Sequence, residues 1–166
     1  MVNLHCKLLF VTFDEIDILQ EIKRRVGDYL KCVIDIQESS YPRARMRFIQ
    51  LNAADFLPLL VSLKNDYDFV LGIVKADLYL PHLNFVLGLA HPQESVCIIS
   101  LAHLRSSDEK QYIDRAVKEA IHELGHLLGL EHCSNPKCVM RFSNMVAETD
   151  YKEDKYCKKC LNLLQK

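Results

Sequence analysis

The stretch 122-HELGHLLGLEHCSNPKC-138 sets three histidines and two cysteines in one run, with His132 directly beside Cys133. His122 and His126 stand four residues apart in a segment with helical apolar spacing. Their imidazoles therefore project from the same side and can share one ion. Glu123 follows the first histidine and can sit beside that ion without ligating it, where a general base belongs. A bare H-E-x-x-H also arises by coincidence on ordinary helices. The continuation removes most of that ambiguity, because Gly129 and His132 complete H-E-x-x-H-x-x-G-x-x-H. Glycine accepts the left-handed conformation at little cost, so the helix can stop and the chain can turn sharply. Such a turn brings His132 back as a third nitrogen ligand.

Cys133 raises the question of one metal or two. Three histidines and a thiolate would make a closed, four-ligand site, whereas three protein ligands and a water make an open, catalytic one. Adjacent side chains outside a helix point apart, which favours separate destinations for His132 and Cys133. Cys138 lies five residues beyond Cys133, and Cys157 and Cys160 form a C-x-x-C. Together these four suit a structural zinc site of thiolates. Two zinc ions per chain, one at each site, is the economical assignment. The thiolate site would staple the C-terminal segment to the end of the active-site helix.

The helix itself is the most legible element. In "SSDEKQYIDRAVKEAIHELGHLLGL" (106–130), Ile113, Val117, Ala120, Ile121, Leu124 and Leu128 share one face, and Ser106 with Glu109 fits a capping box. Strands are expected at 4–11, 31–37, 67–75 and 96–104, with an edge strand over 84–89 after an irregular turn at Pro81. "RFIQL" (47–51) reads as a short strand end. "FDEIDILQEIKRRVGDYL" (13–30) carries Ile16, Leu19, Ile22, Val26 and Leu30 at helical spacing. A second helix is expected over 55–64, with Pro58 in its first turn, and a last one from Tyr156 to Leu164. Strands alternating with helices give an α/β class with a partly parallel sheet.

With 166 residues, about half of them apolar, the chain suits one domain with a single core. A net charge of -1 offers no field to attract nucleic acid or an anionic membrane. No apolar run is long enough to span a bilayer, and the first residues read as a strand, not a signal peptide. A cytoplasmic protein without nucleic-acid or membrane partners is the expectation. Cys6, Cys32 and Cys97 lie singly in apolar stretches and are expected as buried thiols. His5, His82, His91 and His103 read as surface or structural residues, and Arg43, Arg45 and Arg47 as a solvated face. Asp77, Tyr79 and His82 precede the edge strand and are candidates for lining a cleft.

The compound pattern H122-E123-x-x-H126-x-x-G129-x-x-H132-C133-x4-C138-x-M140, followed by C157-x-x-C160, resembles the archaemetzincins, a branch of the metzincin metallopeptidases. The resemblance spans residues 122–160. The interval from Met140 to Cys157 is one residue shorter than the family's, which alters a loop and leaves the ligand assignment in place. The resemblance implies a metzincin-like fold: a twisted mixed sheet with packing helices in an upper subdomain (about 1–129), and a small lower subdomain (about 130–166) holding the four-cysteine zinc site. It also implies a tight turn at Met140 beneath the catalytic zinc, with Met145 as the competing methionine, and an edge strand antiparallel to an extended substrate.

The function so indicated is zinc-dependent hydrolysis of peptide bonds, with His122, His126 and His132 holding zinc and Glu123 as general base toward water. A catalytically silent two-zinc binding or scaffolding protein is the alternative from another class. A hydrolase of small molecules would use the same ligand chemistry. The partner expected is a peptide or protein substrate. Substrate sequence, the position of cleavage and oligomeric state leave no mark in the sequence.

Overall fold

A computed structural model describes residues 2–166. The chain begins with β1 (Lys7–Thr12), α1 (Leu19–Leu30) and β2 (Val33–Glu38), a right of entry into a parallel sheet: Leu8 pairs with Ile34 and Phe10 with Ile36. A hairpin of β3 (Met46–Arg47) and β4 (Gln50–Asn52) precedes a 3-10 turn and α2 (Leu57–Leu63), in whose first turn Pro58 sits as expected. Next come β5 (Phe69–Val74), β6 (Leu78–Tyr79), β7 (Gly88–His91) and β8 (Val96–Ser100). The long helix α3 (Glu109–Leu127) follows, and two short ones, α4 (Val146–Tyr151) and α5 (Lys158–Leu164), complete the chain.

Five strands form the main sheet in the order β2-β1-β5-β8-β7, parallel except for β7, which runs antiparallel to β8 at the edge. Residues alternate across the central strands, so both faces of the sheet are buried. Leu8, Phe10, Leu71, Ile73 and Ile99 face α1 and α3, while Leu9, Val11, Val70 and Ile98 face α2 through Phe56 and Leu60. The apolar stripe of α1, Ile22, Val26 and Leu30, is fully enclosed. Burial of three such side chains contributes on the order of 5 kcal/mol against solvent exposure.

Several expectations shift. The edge strand lies at Gly88–His91, not 84–89, because Val86 is engaged in an antiparallel bridge with Leu78. The helix at 13–30 starts only at Leu19, and the strand at 96–104 stops at Ser100. Ser106 and Glu109 do not form a capping box. Asp108 caps α3 instead, accepting from the amides of Lys110 and Gln111, while the Ser106 hydroxyl donates to Gln111. Cys6 and Cys32, expected as thiols, are joined in a disulfide: the β1–β2 register, Lys7 opposite Val33, sets the preceding residues side by side. Cys97 is a buried free thiol. Among the described residues no helix is long and apolar enough to cross a membrane.

Candidate metal centre and active-site cleft

α3 carries His122, Glu123 and His126 to the floor of a cleft roofed by β7. At its end the chain turns through Gly129, whose φ is +94°, and the amides of Gly129 and Leu130 bond back to the carbonyls of His126 and Gly125. This Schellman closure satisfies the last carbonyls of the helix. It also places the Leu130 carbonyl where His126 Nδ1 reaches it at 2.8 Å. His122 Nδ1 meets the Val139 carbonyl at 2.7 Å. A ring that donates through Nδ1 keeps its lone pair on Nε2. The two Nε2 atoms face one another at 3.3 Å, and His132 joins them so that one nitrogen of each ring lies within 4.8 Å of the others.

Two facing lone pairs require a proton or a cation between them. Burial disfavours the proton: it drives His122 down to about 3, with Lys152 adding to the effect, and it lowers His126 and His132 as well. Nitrogens bound tetrahedrally to zinc at ~2.05 Å lie roughly 3.3 Å apart, which matches the His122–His126 pair. The donor set fits zinc.

Glu123 is buried in the same cleft, and its carboxylate packs against the edge strand at Gly88. A β-carbon at Gly88 would lie 2.6 Å from Glu123 Oε1, so only glycine leaves that room. Burial first, then the neighbouring Glu119 carboxylate, push the Glu123 carboxyl well above the usual carboxylate range, while Lys152 pulls it down. Met140 is fully buried against α3, in a turn where its carbonyl accepts from the Cys133 amide. A side chain at Gly125 would strike Met140 Sδ at 2.4 Å, so the methionine and the glycine are fitted to each other. Met145, by contrast, is 61% exposed and stands just before α4, which excludes it from this place.

The second cluster stands behind this turn. Cys133 Sγ lies 3.7 Å from Cys157 Sγ, and Cys138 Sγ 3.8 Å from Cys160 Sγ, with all four within 4.8 Å of one another. Sulfurs arranged tetrahedrally about zinc at ~2.3 Å lie roughly 3.8 Å apart. Burial raises the Cys138 thiol, and the amides of Met140 and Cys157, which point at its Sγ, work against that effect. Burial raises Cys157, yet hydrogen bonds from Cys160 and the other cysteines bring it down to about 7. His132 and Cys133 thus diverge, one to each cluster.

Other candidates fall elsewhere. Asp77, Tyr79 and His82 are not among the residues lining the cleft. Asp77 binds His103 Nε2 at 3.0 Å, and Tyr79 lies under the Arg47 guanidinium. Arg45 pairs with Asp55. His5 and His82 are exposed, and His91 is half-buried in β7. Sequence reasoning missed Glu119, Lys152 and the wall of Phe142, Ser143 and Asn144, all of which line the cleft. Glu119 had one signal: a carboxylate one turn before Glu123, on the inward face.

Comparison with known proteins agrees with this geometry. The sequence profile of peptidase family M54 matches residues 5–166. The chain belongs to that family, whose members are zinc metallopeptidases. An archaemetzincin of Pyrococcus abyssi is 50% identical over 125 residues, 70% of this chain and 66% of that protein. The chain thus spans just under two thirds of that relative's length. The crystal structure of the archaemetzincin of Methanopyrus kandleri superposes with a TM-score of 0.91 at 38% identity, covering 97% of this chain and 94% of the other. A zinc-dependent peptidase of Methanocorpusculum labreanum gives 0.82 at 27% identity, over 95% and 99%.

Proposed function

We propose that this M54 chain is a zinc-dependent peptidase that holds two zinc ions, one on His122, His126 and His132 and one on Cys133, Cys138, Cys157 and Cys160. The observation that carries the reading is the convergence of three lone-pair nitrogens beside a buried carboxylate, under a sheet edge left open by β7. An extended peptide can add to such an edge through main-chain hydrogen bonds, which presents its carbonyl to the histidine cluster. Zinc bound there supplies a Lewis acid that activates water and polarises the scissile carbonyl. Glu123 takes the proton of the attacking water and delivers it to the departing amine. The Val139 and Leu130 carbonyls keep His122 and His126 in the tautomer that faces the ion.

The test joins metal content with cleavage. Elemental analysis of the wild type should give two zincs per chain, falling to one in His122→Ala. Glu123→Gln should keep both zincs and lose about 10²–10⁴-fold in cleavage of a peptide library. Cleavage unchanged in Glu123→Gln removes the glutamate from the reaction. A fully zinc-loaded wild type that cleaves no peptide favours the binding or scaffolding alternative.

A further inference from the structure

Glu119 and Lys152 have no part in the mechanism above, yet both lie at the base of the cleft, with relative exposures of 3% and 2%. Their charged heads face each other as an ion pair with no hydrogen bond between them. Lys152 Nζ is 3.9 Å from Glu119 Oε1, too long for a hydrogen bond. Of the three ammonium hydrogens, one reaches the Arg141 carbonyl at 3.0 Å. The other two have no partner at hydrogen-bonding distance among the described residues. Glu119 receives only a long bond, 3.4 Å, from the Thr149 hydroxyl. The Ser143 hydroxyl in the cleft wall is also buried without a partner. Above this polar floor the walls are apolar, formed by Leu89, Ala90 and Phe142 in a cleft of about 390 Å³.

We infer that this floor reads the substrate side chain beside the scissile bond, and that it selects a neutral primary amide, that of glutamine. The inference rests on the peptidase reading. The amide nitrogen donates to Glu119 and the amide oxygen accepts from Lys152, while the methylenes lie against the apolar walls. The competing guests fail for stated reasons. Glu119 and Lys152 compensate each other, so a carboxylate or ammonium guest brings a net charge into a buried space. An alkyl guest of the same length covers the spare donors and acceptor without satisfying them, and such groups are costly once removed from water. Only a guest that donates and accepts at one end matches both heads.

The probes are peptide hydroxamates that differ only in the side chain nearest the hydroxamate: glutamine, methionine, glutamate or lysine. Each is titrated calorimetrically into the zinc-loaded full chain. The glutamine ligand is expected to bind on the order of tenfold more tightly than the near-isosteric methionine ligand, and more tightly than either charged one. Lys152→Met should move the preference to lysine, and Glu119→Gln should move it to glutamate, with zinc content unchanged. A pair that merely braces the fold would lower thermal stability in both variants and leave the ranking of ligands as it was. The double variant Glu119→Leu/Lys152→Met removes both charges together, and in it the advantage of glutamine must disappear; this variant decides the matter where a single one does not fold. Equal binding of the glutamine and methionine ligands by wild type, or a ranking that survives the variants, overturns the inference and leaves the peptidase reading standing. Binding of no hydroxamate by zinc-loaded wild type overturns the peptidase reading, and this inference with it.

Discussion

Gly88 shows how a residue with no chemistry of its own governs where the Glu123 carboxylate can sit. An added methyl there meets the Glu123 carboxylate, the movable end of a side chain, so the expected result of Gly88→Ala is displacement of the base, not unfolding. Cleavage should fall by on the order of a hundredfold, as a misplacement of about 1 Å implies, with melting temperature and zinc content nearly kept; a fully active variant would show that the carboxylate has other room. His122 makes a second prediction, on acidity. The fold holds its imidazole near 3 against an ordinary 6.5, so the neutral form is favoured. A depressed value of this kind stabilises the fold fully above the ordinary value and loses that contribution as pH falls toward 3. Chelator-treated protein should lose about 2 kcal/mol between about pH 8 and pH 5 from this group, as urea unfolding would measure, and His122→Asn should flatten the slope. The nearness of the three histidines was legible because helical spacing relates His122 to His126 and a glycine turn returns His132 within eleven residues. Gly88 was not, since its nearness to Glu123 arises only when a distant strand is laid over the helix.

Among the elements, α3 was the easiest to read and the short ones the hardest. A helix of nineteen residues declares itself by its apolar stripe, whereas β3 and β6 have two residues each, too few for any alternation to show. α4 likewise has only six residues, most of them polar, and its position is set by contacts with α3, among them Arg115 with Asp150. The cap of α3 moved from Ser106 to Asp108 because both residues are competent acceptors and only the path of the preceding turn chooses between them. The final helix α5 depends on something else: Cys157 and Cys160 attach its first turn to the segment that carries Met140. Cys157→Ser should therefore release one zinc equivalent and speed amide exchange across residues 133–166, while exchange in β1, β5 and β8 stays slow. Loss of zinc from the histidine site alone would contradict the separation of the two clusters.

At the scale of the whole molecule, the disulfide between Cys6 and Cys32 ties the first strand to the end of α1 across 26 residues. A cross-link of that span is worth about 3.5 kcal/mol on the chain-entropy account. Alkylation of denatured, chelator-treated protein without reductant should modify the five free cysteines, and prior reduction should modify all seven while lowering the melting temperature. Seven modified cysteines without reductant would mean that the bond does not form. The other feature of molecular scale is the open side of β7. Its four residues lie between a bend at Pro92–Glu94 and the turn before Val86, so the vacancy admits a few residues of extended chain and no more. A polypeptide already hydrogen-bonded within its own sheet or helix has nothing to offer such a slot until it locally opens. On the proposed peptidase reading, the rate at which a folded target is cut would follow that target's opening equilibrium, and the cleft would gauge other proteins' stability as much as their sequence.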